Sequence, residues 1–338
     1  MCFMKKRIVL YKQVQPDVLE LLQQHFEIAQ FDGLDPAGRP AFLDALSQAH
    51  GLIGMYGRID AATIAAAPLL QAVCTVSVGY DAIDLDALNA RGILLCNTPE
   101  VLTETTADTA FALILGTARR VAELAQWLKD GHWRKPVAEP QYGSDVHGKT
   151  LGIVGLGRIG TALARRAALG FGMRVLYSGR SSKPEAESTL GAQRRELHPL
   201  LQESDFVCVL APLSAETRHL IGAAEFARMK PTAFFINAAR GAVVDEPALI
   251  AALREQRIAG AGLDVYQQEP LPLDSPLLAM PNVLALPHIG SATRETRHAM
   301  ELCAAHNLIE ALAGRRPRYL VNPEALQTGP LQAGVPKA

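Results

Sequence analysis

The chain has 338 residues, 49% apolar, 20% charged and 6% aromatic, which at roughly 150 residues per domain is length for two domains and leaves little room for extensive disorder. Its 33 Lys and Arg against 34 Asp and Glu leave a net charge of −1, and the basic doublets at 165–166, 194–195 and 315–316 are scattered without interleaved aromatics. That argues against a nucleic-acid or membrane-surface role. The five cysteines (Cys2, Cys74, Cys96, Cys208, Cys303) form no C-x-x-C or Cys/His ligand spacing, so a reducing, cytoplasmic compartment is expected, with no metal site. The apolar run at 8–11 is too short for a signal-peptide core, and the longest apolar helical stretch, 107–118, contains Asp108; no segment reads as membrane-spanning.

In chain order, the first hundred residues alternate short β-branched or apolar runs with amphipathic stretches, at 7–11, 17–26, 27–31, 39–49, 51–55 and 72–76. Such alternation predicts a parallel α/β sheet. Asn97-Thr98-Pro99 breaks the pattern, and a long helix is predicted from about Thr105, capped by Thr105-x-x-Asp108. Its apolar positions Ala107, Ala110, Phe111, Ile114, Leu115, Ala118, Val121, Ala125 and Leu128 predict one buried face running to Gly131. Residues 131–149 carry Trp133, Pro136, Pro140 and Tyr142 without periodicity, long for a connection and expected to be an arm or interface segment. A second α/β series follows, with strands near 151–154, 173–177, 205–210, 233–237, 260–264 and 283–286, a helix at 291–313 and a disordered tail at 329–338.

Strand 151–154 runs into Gly155-Leu156-Gly157-Arg158-Ile159-Gly160, which opens a helix at 161–169. In that setting Gly155 makes the tight turn, Gly157 lets the backbone approach a pyrophosphate, and Gly160 allows close packing of helix on strand. The helix N-terminus then faces the phosphates of a dinucleotide. The second strand should end at the adenosine ribose, where NAD enzymes carry an acid; here it runs into Ser178-Gly179-Arg180-Ser181-Ser182-Lys183, and the first acid after the glycines is Glu185. A forked contact from Arg180 to a 2′-phosphate is worth roughly 1.5–3 kcal/mol, enough to set a preference for NADPH, with NADH as the alternative.

Later strands of an open α/β sheet bring Arg240, Asp264, Glu269 and His288 to the carboxyl edge, where ligands bind. That set suits reduction of a 2-keto acid. Arg240 can fork onto the carboxylate and polarise the ketone, and His288 can give its proton to the forming alkoxide. Glu269, if bonded to His288, favours the imidazolium. Singly, each has a plain structural reading as a surface ion pair, a turn residue or a core histidine. Their joint placement behind a dinucleotide motif is what points to chemistry.

At these residues the chain resembles the D-isomer-specific 2-hydroxyacid dehydrogenase family, through Ser77-Val78-Gly79-Tyr80-Asp81, Asn97-Thr98-Pro99, Gly155 to Gly160, Asn237-Ala238-Ala239-Arg240-Gly241, Ala261-Gly262-Leu263-Asp264-Val265 and Pro287-His288-Ile289-Gly290-Ser291-Ala292-Thr293. Within it, segments such as Gln202-Glu203-Ser204-Asp205-Phe206-Val207-Cys208 are most similar to the bacterial glyoxylate/hydroxypyruvate reductase B type, also described as 2-ketogluconate or 2-ketoaldonate reductases. The resemblance implies Arg240, Glu269 and His288 as catalytic residues, with the amides of Val78 and Gly79 helping Arg240 and His288 to hold the substrate. It implies a cofactor site of Thr106, Gly155, Gly157, Arg158, Ile159, Gly160, Ser178, Arg180, Ser181, Pro212, Ala238, Arg240, Asp264, His288 and Gly290, Asp264 taking the nicotinamide carboxamide. It also implies two Rossmann-like domains, a dinucleotide domain (104–291) inserted into a discontinuous substrate domain (1–103 and 292–328), and a homodimer through the former. Phosphite dehydrogenases of the family carry Lys where this chain has Val78, and formate dehydrogenases carry Gln where it has Glu269, so both activities lose weight. The expected activity is therefore NADPH-preferring reduction of glyoxylate, hydroxypyruvate or 2-ketogluconate, in a cleft between the domains. The alternatives are the same chemistry with NADH, or a dinucleotide-sensing corepressor-like protein of the same fold.

Overall fold

The protein is described here by a computed structural model covering residues 5–35 and 37–328; Cys2 and the tail predicted at 329–338 lie outside the described residues. The chain divides into two compact units, one joining the chain up to Leu102 to the chain from Thr293 onward, the other formed by Thr103–Ala292.

In chain order the first unit contains β1 (Lys6–Tyr11), α1 (Pro16–His25), β2 (Phe26–Gln30), α2 (Arg39–Ser47), β3 (Gly51–Gly54), α3 (Ala61–Ala65), β4 (Ala72–Thr75), α4 (Leu85–Ala90) and β5 (Leu94–Cys96). The second contains α5 (Thr103–Ala118), α6 (Val121–Lys129), β6 (Thr150–Val154), α7 (Arg158–Arg165), β7 (Arg174–Ser178), α8 (Pro184–Leu190), β8 (Gln193–Arg194), α9 (Leu197–Glu203), β9 (Phe206–Val209), α10 (Ala223–Phe226), β10 (Phe234–Asn237), α11 (Glu246–Arg254), β11 (Gly260–Leu263) and β12 (Val283–Ala285). The chain then returns to the first unit with α12 (Arg294–Leu312) and α13 (Ala325–Thr328).

Both sheets are parallel throughout, in the orders β2-β1-β3-β4-β5 and β12-β11-β10-β9-β6-β7-β8. Helices on both faces of a parallel sheet bury its strands completely, which is why β3, β4, β9, β10 and β11 read as continuous apolar runs. Each such buried Leu, Ile, Val or Phe contributes roughly 1.5–3 kcal/mol against the entropy of ordering the chain. In the second sheet the order reverses at β6, between β9 and β7. A crevice opens at such a reversal beyond the carboxyl ends of the strands, and it positions the nucleotide loop.

The predicted single helix over 105–131 is two helices. It starts at Thr103, ahead of the expected cap, and stops at Ala118; Arg120 then takes a left-handed φ of 55°, and α6 begins at Val121. Arg120 is held there by Glu123 Oε1 at 2.6 Å and by the carbonyls of Pro140 and Tyr142, which tie the 131–149 segment to the break. A 3.6-residue repeat does not register a change of direction, so the apolar pattern continued across it. Only α5 buries that face; Val121 and Leu128 on α6 are 56% and 50% exposed. The short β5, α3, α4 and β8 had no sequence expectation. The terminal helix starts at Arg294 rather than 291, where the Thr293 hydroxyl accepts the Thr296 amide as an N-cap.

Candidate active site

The glycine loop follows β6 as expected. Gly155 has φ 99°, and a Cβ there would lie 2.6 Å from the Ala211 nitrogen; a Cβ on Gly160 would lie 2.6 Å from the Gly155 carbonyl oxygen. Neither position admits a side chain. A Cβ on Gly157, the N-cap of α7, would meet nothing within 4 Å, so the backbone is open on that side at the helix N-terminus, the end of a helix that favours anions. Arg166, in the π turn that extends α7, pairs with Glu104 at 2.8 Å and Asp108 at 2.6 Å, anchoring the start of α5, which carries Thr106.

After β7 the chain turns through Ser178, Gly179, Arg180 and Ser181, an exposed loop from Gly179 onward. The buried Tyr177 ring beneath it bonds Glu187 through its hydroxyl and accepts the Lys183 amide at 2.8 Å. Glu187 is thereby engaged by the Tyr177 hydroxyl and the Lys183 amide. Arg194, which has no expected role from its sequence pattern, is brought by β8 to the loop and donates to the Gly179 carbonyl at 2.9 Å. Its only sequence signal was its place in a basic doublet.

The remaining residues converge at the carboxyl ends of β9 to β12. Pro212 follows β9, three residues past Val209, and its carbonyl accepts the Thr217 hydroxyl at 2.6 Å. After β10, buried Asn237 braces the turn through Ala238 and Ala239: its side chain donates to the Arg240 carbonyl at 3.1 Å and accepts the Ala239 amide at 3.1 Å. Arg240 donates to the Ala239 carbonyl at 2.8 Å. Gly241 presses on the next turn so closely that a Cβ would lie 1.8 Å from the Tyr266 carbonyl carbon.

That second turn leaves β11. Asp264 is buried, with Oδ1 accepting the Ile289 amide at 2.7 Å and Oδ2 the Gly290 amide at 2.8 Å. Burial pushes its pKa up, and the two amides offset this only in part. Glu269 Oε1 accepts the Tyr266 amide at 3.0 Å, while its Oε2 lies 2.6 Å from His288 Nδ1. Burial raises the Glu269 pKa, but the bonds from His288 and Tyr266, with the His288 and Arg240 charges, outweigh it and hold the carboxyl below its usual range. The Tyr266 hydroxyl donates to the Leu286 carbonyl at 2.8 Å, two residues before His288. His288 has φ 53°, a left-handed conformation costing a non-glycine residue about 1–2 kcal/mol. Asp264 holds that turn from behind through the next two amides. Thr106 packs within 3.3 Å of the position a Gly290 Cβ would take, which brings Thr106, Asp264 and Gly290 together.

Arg240, Glu269, His288, Asp264 and the cofactor residues named from sequence therefore all lie in the second unit; Val78 and Gly79 lie in the first, after β4. Tyr266, Asn237 and Gly241 were not assigned roles from sequence. An ionised carboxylate on Nδ1 fixes the His288 ring with Nδ1 as donor.

Residues 111–290 match the family model for the NAD binding domain of D-isomer specific 2-hydroxyacid dehydrogenases. The chain belongs to this family. It is 55% identical over 321 residues to glyoxylate/hydroxypyruvate reductase B of Klebsiella pneumoniae (strain 342), covering 95% of this chain and 99% of that one. Among solved structures it is similar to a protein from Thermus thermophilus, with TM-score 0.86, 43% identity and coverage of 93% and 99% of the two chains. It is also similar to the NADPH-dependent glyoxylate/hydroxypyruvate reductase of Sinorhizobium meliloti in complex with NADP and malonate, with TM-score 0.85, 36% identity and coverage of 95% and 98%. As a D-2-hydroxyacid dehydrogenase with a dinucleotide fold, the protein is an NAD(P)H-dependent oxidoreductase. Among the described residues no helix is long and apolar enough to cross a membrane.

Proposed function

We propose that this dehydrogenase is an NADPH-preferring reductase of small 2-keto acids, converting glyoxylate to glycolate and hydroxypyruvate to glycerate, with 2-ketogluconate as a larger substrate. The observation that carries the reading is the 2.6 Å contact between Glu269 Oε2 and His288 Nδ1, formed at one sheet edge with Arg240. The residues that would hold the cofactor are Thr106, Gly155, Gly157, Arg158, Ile159, Gly160, Ser178, Arg180, Ser181, Pro212, Ala238, Asp264 and Gly290. NADPH bound there supplies the hydride to the keto carbon. Arg240 forks onto the substrate carboxylate and draws electron density to the keto oxygen. His288 delivers a proton from Nε2 to the forming alkoxide, and Glu269 stabilises the imidazolium before transfer. Asp264 keeps the His288 turn in place and, in the same reading, meets the nicotinamide carboxamide.

The preference for NADPH is supported by Arg180 and by a 178–183 loop that contains no acid. A homodimer through the second unit is supported by the exposed apolar side chains of Val121, Leu128, Trp133, Val137 and Tyr142 on α6 and the following segment. A reducing, cytoplasmic setting rests on the spacing of the cysteines.

The test is a panel of kcat/KM values for glyoxylate, hydroxypyruvate, pyruvate and 2-ketogluconate with NADPH and NADH. The reading requires the highest values with NADPH and one of the first, second or fourth acids. Higher values with NADH would reverse the cofactor assignment, and no turnover by folded, nucleotide-binding protein would remove the reductase reading.

A further inference from the structure

The loop after β4 has an unusual hydrogen-bond account. Three successive carbonyls are taken up by the protein: Ser77 O accepts the Thr98 amide at 2.9 Å, Val78 O accepts Asn97 Nδ2 at 2.8 Å, and Gly79 O accepts Ser77 Oγ at 2.6 Å. In a planar trans peptide the carbonyl of one residue and the N–H of the next point in opposite directions. The amides of Val78 and Gly79 are therefore turned away from Asn97-Thr98, and that of Tyr80 away from the Ser77 hydroxyl. Among the described residues none of these three amides donates to a protein acceptor. Val78 and Gly79 are part-exposed and Tyr80 is exposed, so these amides are open to solvent or a ligand, and successive backbone amides turned outward form a concave anion-binding nest.

The groups that turn the loop are themselves braced. With its proton committed to Gly79 O, Ser77 Oγ accepts from Thr75 Oγ1 at 2.7 Å. Asn97 is held at both backbone ends: its amide donates to the Tyr319 carbonyl at 3.3 Å, and its carbonyl accepts Asn307 Nδ2 at 3.1 Å. Asn307, only 3% exposed on α12, also accepts the Tyr319 amide. An amide relay thus runs from buried Asn307 on α12 through part-buried Asn97 to the Val78 carbonyl.

We propose that Asn97 and Ser77 are positioning residues that hold the Val78, Gly79 and Tyr80 amides as a three-donor cradle for the substrate carboxylate. Tyr80 N–H is the third donor. The inference rests on the reading of Val78 and Gly79 as carboxylate-binding amides. Asn97→Ala frees the Val78 carbonyl, and its peptide can rotate so that the Gly79 amide no longer faces the anion. Ser77→Ala does the same for Gly79 and Tyr80. Neither change touches the nucleotide loop, so anion affinity is lost selectively.

The experiment measures oxalate binding to the NADPH-bound protein by calorimetry, together with KM for glyoxylate, kcat and NADPH affinity, for wild type, Asn97→Ala and Ser77→Ala. The expected result is a rise of about 5- to 10-fold in both oxalate Kd and glyoxylate KM for each variant, a much smaller fall in kcat, and unchanged NADPH affinity. Oxalate Kd unchanged in a variant that melts at the wild-type temperature overturns the proposal, as does parallel loss of NADPH affinity. Where Asn97→Ala fails to fold, Ser77→Ala alone decides it. Wild-type protein that binds oxalate, loses it in these variants and yet does not reduce glyoxylate supports the cradle while removing the reductase reading.

Discussion

Glu269 and His288, nineteen positions apart in the chain, meet at 2.6 Å because β11 and β12 are neighbours in register and each turns inward at its carboxyl end. Glu269→Gln keeps the shape and removes the charge. It should lower kcat about 10- to 100-fold, because the His288 ring loses its anionic partner. His288→Ala should abolish turnover while NADPH still binds; stopped-flow reduction and fluorescence titration of the nucleotide check the two halves.

The Glu269 pKa is held below the usual range, so its carboxylate supports the site above the ordinary glutamate value near 4.3 and loses that role as pH falls through its own lower pKa. Asp205 behaves likewise: burial raises its pKa, but Lys230 at 2.8 Å, the Thr150 amide at 2.9 Å and the Lys149 charge bring it below normal. Asp205→Asn should cost roughly 1 kcal/mol at pH 7 after screening, about 2–4 °C in Tm. The difference from wild type should shrink as pH drops below about 4, which melting curves across pH 3–7 would reveal.

Gly241→Ala puts a methyl group 1.8 Å from the Tyr266 carbonyl carbon. The Arg240 and Glu269 turns must separate, at a cost of about 3 kcal/mol or more. Turnover should fall by at least about 100-fold with a clear drop in Tm; native activity would show that the two turns move independently.

Arg180→Ala should raise KM for NADPH about 10- to 100-fold and leave KM for NADH nearly unchanged, since only the former carries the 2′-phosphate. Equal effects on both would remove Arg180 from that role. Arg194→Ala, which frees the Gly179 carbonyl, should weaken NADPH less than Arg180→Ala does.

Several features are legible in the sequence because their meaning is local. The strand, Gly155 to Gly160 and the helix that follows form one continuous stretch, and Arg240, Asp264 and His288 each sit at the end of an apolar run that reads as a strand. Periodicity failed at Arg120, where a single left-handed residue redirects the helix without disturbing the apolar spacing.

What the sequence by itself determined is the class of sheet, the strand–glycine–helix stretch and the polar side chains at the strand ends, since these follow from residue type and short spacing. Tertiary structure alone decided which groups hold them: Asp264 clamping the His288 turn, Tyr266 joining β11 to Leu286, Arg194 reaching the 178–183 loop, and Asn97 turning the amides after β4. These partners are 15 to 26 residues apart in sequence. Parallel strands place the carboxyl ends of distant segments side by side, and only the order of strands in the sheet says which distant ends will meet.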